Sequence, residues 1–331
     1  MTNGTRRRRL EAAIAGEKLD RLPVALWRHW PGDDQDAAAL AAAHLKWQAD
    51  YDWDLLKVSP ASSYSVIDWG VEDRWVGHIE GTRENTRLPI HAAAEWEALR
   101  PLDPSRGMLA TQIETLRRVG EGLRGEVPFL ATVFSPLSVA KHLATNPVMI
   151  SHLRREPDAF RRGLETITES VLRFIDAARA TGISGIYYAV QHAAYPLLSE
   201  EEYRSFGRPY DERILSACGD LWATIVHLHG TDVMFDAVAS LGAPILNWHD
   251  RDAGISLADG LGRMHGAASG GVGQWTLHRE SPERALAEAA DAAEQVGGRR
   301  LLLGTGCVIM ATTPLRNIRA LREAAETLPV R

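Results

Sequence analysis

Cysteine is scarce: the 331 residues contain two, Cys218 and Cys307. Two in a chain of this length exclude a disulfide framework, so the place of each one matters. No run of 18 apolar residues occurs and the start carries no apolar secretory core, so neither a membrane span nor a signal peptide is expected, and the expected compartment is the cytoplasm. No G-x-G-x-x-G opens the chain and no G-x-x-x-x-G-K appears. Gly270, Gly271 and Gly273 in ASGGVG follow neither formula, which speaks against a nucleotide fold. The net charge is −6, and the one basic run, Arg6–Arg9, reads as a solvated helix start. Nucleic acid is therefore not an expected partner. No Pro-, Gly- or Ser-rich linker and no repeat divides the sequence, so one domain over 1–331 is expected.

The residues present are 45% hydrophobic, enough for a large core. Eight short apolar runs read as strands: 22–27, 54–59, 127–134, 182–190, 221–229, 243–249, 268–273 and 300–306. Ala-rich stretches of helical spacing alternate with them, as in DDQDAAALAAAHLKWQAD and SPERALAEAADAAEQ. Alternation implies parallel strands with right-handed crossovers, and eight units in this length is the arithmetic of a (β/α)8 barrel, with a doubly wound open sheet as the alternative. Segment 61–85 differs: aromatic and β-branched residues alternate with turn residues, which predicts a hairpin-like insertion after strand two, over the barrel mouth.

Barrel chemistry sits at the C-terminal ends of the strands. Arg28 and His29 end strand one, Lys57 lies on strand two, Tyr188 and His192 end strand four, and His249 and Asp250 end strand six. Arg28, His29, Lys57, Tyr188 and His192 are candidate substrate contacts, Arg28 through its planar fork. His249 and Asp250 are candidate acid–base residues. Tyr187 and Tyr188 must face opposite sides of the sheet. In IVHLHG, His227 and His229 are two apart and share one strand face. With Cys307 after strand eight they form a nitrogen–sulfur donor set of the kind that favours zinc. Two hydrogen-bonded histidines against a substrate carboxylate, with Cys307 as a small apolar filler, is the other reading. Cys218, in the helical run DERILSACGD, reads as helix packing.

From residue 6 to 326 the sequence resembles the uroporphyrinogen decarboxylase superfamily, which contains the decarboxylase and the methylcobamide:thiol methyltransferases. The resemblance rests on RRLEAAIAGEKLDRLPVALW, LSEEEYRSFGRPYDERIL, IVHLHG, GGVG before a helix, and GTGCVIMATTPLRNIRALREA. It implies a distorted (β/α)8 TIM-type barrel and a tendency toward homodimers. Several decarboxylase positions differ. Arg28 stands alone where more arginines are expected, Pro60, Ala61 and Ser62 occupy the place of the pyrrole-binding aspartate, with Asp68 displaced, His142 lies near the place of a tyrosine, and Cys307 replaces a histidine. The methyltransferase branch implies zinc held by a His-x-Cys pair and a later cysteine. His227 and Cys307 match, while His229 replaces the middle cysteine.

The expected function is zinc-assisted methyl transfer to a small thiol or related substrate, with His227 catalytic as a ligand, a methylcobamide as donor and a corrinoid protein as partner. The alternatives are a cofactor-free decarboxylase acting on a tetrapyrrole or smaller carboxylate, another lyase or hydrolase on the same barrel, and a non-catalytic ligand-binding or partner protein.

Overall fold

Strands that read as unbroken apolar runs are those covered on both faces. The computed structural model describes residues 5–330. Its strands are β1 (Leu56–Val58), β2 (Glu72–Arg74), β3 (Glu84–Arg87), β4 (Phe129–Phe134), β5 (Gly185–Val190), β6 (Ile225–Leu228), β7 (Ile245–Trp248), β8 (Ala267–Val272) and β9 (Leu301–Thr305). Among the described residues, β1-β4-β5-β6-β7-β8-β9 form one curled sheet in that order, every pairing parallel. All of their residues are buried, because helices cover one face and the barrel interior covers the other.

The expected first strand, 22–27, is the exception. It pairs only at Val24, with Leu303 of β9. Ala25 N donates to Leu303 O at 3.0 Å and Leu303 N to Pro23 O at 2.8 Å. Pro23 has no N–H to extend a ladder. On the other side Asp54 replaces strand pairing: its N–H donates to Val24 O at 3.0 Å, and its carboxylate accepts from Val24 N at 2.8 Å. The barrel is thus distorted, with seven regular strands and a reduced eighth stave between β9 and β1. Gly304 permits the close approach, since a Cβ there would lie 2.5 Å from Ala25 O.

Asp54 is fully buried and also accepts from Arg9 Nη1 at 2.5 Å and Arg21 Nη1 at 2.7 Å. It ties the opening helix, the reduced stave and β1 together at the end of the barrel where the strands begin.

Side chains alternate across the sheet. One apolar cluster, including Ala25, Trp27, Leu55, Leu130, Tyr187, Ile225, Ile245, Ala267 and Leu302, fills the interior. A larger one lies between sheet and helices. Tyr188 belongs to that outer layer, which corrects the expectation that it faces the mouth. Its hydroxyl donates to Asp211 at 2.5 Å, and Tyr203 donates to the other oxygen at 2.7 Å. The neighbouring Tyr187 is the inward one.

The insertion after β1 does form an antiparallel hairpin, β2 with β3. It lies over the mouth: Ala311 N donates to Ile79 O at 2.8 Å, and Gly81 packs against His29 and Pro31. Arg83 pins it, donating to Asp34 at 2.7 Å and to Asp73 at 3.2 Å.

Two stability measurements follow from these buried carboxylates. Asp54→Ala removes the buried partner that Arg9 and Arg21 share, leaving Arg9 with Asp20 and Arg21 with Glu326, and should cost about 2–5 kcal/mol in denaturant unfolding; a loss below about 1 kcal/mol would show that the stave needs no such tie. Burial pushes Asp211 up from 3.8 to about 7, against the two tyrosine hydrogen bonds. A carboxyl raised on folding binds more protons folded than unfolded, so its contribution to stability falls as pH rises from about 4 to about 7. The difference between wild-type and Asp211→Asn unfolding curves should carry that slope. A flat difference would mean that Asp211 is ionised at pH 5.

Candidate metal centre

The barrel interior turns polar toward the C-terminal ends of the strands. Ile225, Ile245 and Ala267 pair in one layer, and His227, Asn247 and Ser269 pair in the next. Beyond them come His229 and His249, with Cys307 on the loop after β9. His229 is held in line by its N–H, which donates to Val190 O at 3.0 Å. The β9 loop reaches this layer because residue 306 is glycine: a Cβ would lie 2.6 Å from Trp248 O and 2.7 Å from His249 Cα.

Four donors converge here. His227 Nε2 is 3.4 Å from His229 Nδ1, and His249 Nε2 is 3.4 Å from the same nitrogen. Cys307 Sγ is 3.7 Å from His227 Nε2 and 3.8 Å from His229 Nδ1. All four atoms lie within 4.8 Å of one another. A tetrahedral zinc site has N···N edges of about 3.3 Å and N···S edges of about 3.6 Å, so the donor types suit zinc and the four distances given match its edges.

The orientation of His227 is fixed from behind. Asn247 Nδ2 donates to two carbonyls, Ser269 O at 2.8 Å and Thr305 O at 3.1 Å. Carbonyls only accept, so the amide nitrogen must face them and Oδ1 must face His227. His227 Nδ1 is 2.6 Å from that oxygen and therefore carries the proton. Its Nε2 then presents a lone pair to the other donors. Tyr187 donates to the same Oδ1 at 3.1 Å, and its ring stacks on His227 at 5.3 Å.

Electrostatics leave the imidazoles neutral. Burial, then the charges of His229 and His249, hold His227 well below its ordinary value. Burial, then His249 and Lys141, bring His229 down to about 4, and burial also lowers His249. Burial, and after it the Glu80 carboxylate, push the Cys307 thiol up to about 12. All three nitrogen donors are thus in the form that binds a cation at neutral pH.

Known proteins match this chain on both sides of the superfamily. The family profile described as "Uroporphyrinogen decarboxylase (URO-D)" matches residues 77–328. The chain belongs to the uroporphyrinogen decarboxylase family. It is 27% identical over 169 residues to a uroporphyrinogen decarboxylase of Syntrophotalea carbinolica, a match that spans 48% of either chain. It is 20% identical to the methylcobamide:CoM methyltransferase MtbA of Methanosarcina mazei over 98% of this chain and 99% of that one. Among solved structures, a methyltransferase from Methanosarcina mazei superposes with a TM-score of 0.87 at 22% identity, covering 98% of each chain; that likeness speaks to the fold.

The other expected site residues of this family member scatter. Arg28 points to the helical side, its guanidinium 4.6 Å over Trp30, which packs on His44 and Trp47. This corrects its expected place in the mouth. Asp250 lies outside the four-donor group: its carboxylate accepts from Gly271 N at 3.1 Å and lies 3.5 Å from Arg251, and burial raises it to about 6. His29 is buried under the hairpin, Nδ1 3.2 Å from Pro60 O. His192 is buried with its Nε2 2.9 Å from Asn146 Oδ1, and it stays outside the four-donor group. Lys57 faces the interior, its Nζ 4.6 Å over the Tyr187 ring. His249 was expected as an acid–base residue, and the geometry makes it the fourth donor. Sequence reasoning missed that role and missed Asn247. The signal was available: Asn247 and His249 are two apart on the strand beside His227 and His229, with the same parity.

Asn247→Ala removes the partner that sets the His227 tautomer, and chelator competition should show zinc affinity about 10- to 100-fold weaker. Unchanged affinity would mean that the amide does not orient the ligand.

Proposed function

We propose that this protein is a zinc-dependent methyltransferase that moves a methyl group from a methylcobamide, presented by a corrinoid protein, to a small thiol. The observation that carries the reading is the convergence of His227, His229, His249 and Cys307. The full-length likeness to a methylcobamide:CoM methyltransferase supports the same direction. In the net reaction a C–S bond forms, the bond between methyl and donor breaks with its electron pair left on the donor, and the thiol proton is released.

Zinc, when bound, would supply the Lewis acidity that keeps a substrate thiol ionised at neutral pH. The chain's residues do the rest. Asn247 and Tyr187 hold the His227 ring, so that its Nε2 lone pair is aimed before any ligand arrives. His227 and Cys307 are buried, while His229 and His249 are partly exposed, so substrate sulfur approaches from the His249 side. A three-imidazole, one-thiolate donor set is less negative than one richer in thiolate. It donates less charge to a bound sulfur, which favours a methyl donor that is itself reactive.

The carboxylates a decarboxylase would need are engaged elsewhere. Asp68 accepts from Met108 N at 2.9 Å and Leu109 N at 3.1 Å, at the start of the helix Gly107–Leu123. Asp250 is held by Gly271 N, and Arg28 faces the helices. None of them is aimed at a tetrapyrrole in the mouth.

Metal content of untagged protein, with methyl transfer from methylcobalamin to small thiols, tests the reading. One zinc per chain is expected. His227→Ala and Cys307→Ala should lose the metal and reduce transfer by a factor of roughly 100 or more. Metal-free protein that binds a tetrapyrrole tightly would overturn it.

A further inference from the structure

A tetrahedral zinc ion takes four donors, and a site that binds substrate on the metal keeps one of those positions for it. Here the chain supplies all four, since the donor atoms of His227, His229, His249 and Cys307 lie within 4.8 Å of one another. A thiol can reach the metal only if one protein donor withdraws. The four are not equally anchored.

His227 is buried, its Nδ1 2.6 Å from Asn247 Oδ1 and its ring stacked on Tyr187. Cys307 is buried on a loop closed by Thr305 Oγ1, which donates to Cys307 O at 2.6 Å, and by the tight approach of Gly306 to Trp248. His229 is partly exposed, but its Nδ1 is the central atom of the group, within 3.8 Å of the other three donors. His249 is the loosest. It lies one residue past the end of β7, where its carbonyl accepts from Asp252 N and Ala253 N at the start of a turn. Its ring is partly exposed, and among the described residues its Nδ1 has no hydrogen-bond partner.

Beside that ring lies a narrow hollow lined by His249, Asp250, Gly273, Gln274 and Gly306. Gln274 opens the helix Gln274–Arg279, and its buried Oε1 has no hydrogen-bond partner among the described residues. An unmet buried acceptor costs about 1–3 kcal/mol, and a ring N–H is the kind of donor it lacks. A turning ring vacates as much space as it takes, so a narrow hollow can receive it.

We propose that His249 is an exchangeable fourth ligand, which closes the metal site at rest and swings toward Gln274 when a substrate sulfur takes its place. The incoming sulfur rests on the methyl-transfer reading; the mobility of His249 does not. In the exchange the bond from Nε2 to the metal breaks with its electron pair left on nitrogen. The sulfur–metal bond forms with the sulfur's pair, and the thiol proton leaves to solvent. Coordination stays at four.

Cobalt(II)-loaded protein tests this, with bound histidines counted from hyperfine-shifted imidazole resonances and 2-mercaptoethanol as the probe. Wild type should start with three bound imidazoles and fall to two as thiol is added. His249→Ala should keep its metal and hold two imidazoles throughout. It should bind the thiol roughly 10- to 100-fold more tightly than wild type, because no resident ligand has to be displaced first. Gln274→Met should weaken thiol binding roughly 3- to 10-fold by removing the acceptor for the displaced ring, and it carries the test if His249→Ala does not fold. Azide separates the two readings. If azide removes one imidazole from the wild-type metal and no thiol does, the exchange stands and methyl transfer falls. If three imidazoles persist under both ligands, or His249→Ala binds them no more tightly than wild type, His249 is a fixed ligand and the proposal is wrong.

Discussion

One buried amide organises the top of the barrel. Asn247, on β7, donates to carbonyls on β8 and β9, and accepts from Tyr187 on β5 and His227 on β6. Two donors and two acceptor sites are all an amide has, and all are used. Such a network is favourable only when complete, since each unmet buried group costs about 1–3 kcal/mol. The completeness has a chemical consequence. With both amide hydrogens committed to carbonyls, Oδ1 has one orientation, His227 has one tautomer, and its free lone pair has one direction. The direction of the His227 lone pair is thus set by backbone carbonyls of two neighbouring strands.

A second constraint brings the sulfur to that lone pair. The β9 loop crosses the end of β7 at a distance that no Cβ at residue 306 would tolerate. Gly304 serves the same strand lower down, where the reduced first stave leans on it. The GTGC sequence therefore does two packing jobs on the way to delivering Cys307.

Much of this was legible in the chain. The seven regular strands lie in or within a residue of the apolar runs at 54–59, 127–134, 182–190, 221–229, 243–249, 268–273 and 300–306, because buried parallel strands need apolar residues on both faces. The run at 22–27 has the same composition, yet Pro23 and the Asp54 side chain take over its hydrogen bonds. His227, His229 and Cys307 were readable from parity and from the family resemblance. Arg28, Tyr188 and Asp250 were misplaced for a common reason. A polar residue near a strand end can turn inward or outward, and composition does not say which. Trp30 captures Arg28, Asp211 captures Tyr188, and Gly271 captures Asp250, and each of these partners is distant in sequence except the first.

The four-donor group carries little charge of its own. Its imidazoles are neutral and its thiol is protonated until a cation arrives. A divalent ion held by three imidazoles and one thiolate would carry a net positive charge, and the Lys57 amine, lowered by burial to about 7, stands behind the Tyr187 ring. Opposing carboxylates are sparse: Glu80, on the hairpin over the mouth, is the acidic group that Cys307 feels. In a low-dielectric barrel, like charges left uncompensated weaken one another's ionised forms. The balance would be restored by negative charge brought to the donor group. The same argument disfavours a large polycarboxylate: the mouth offers one inward amine at depth, and the arginine that would grip further carboxylates is turned to the helices.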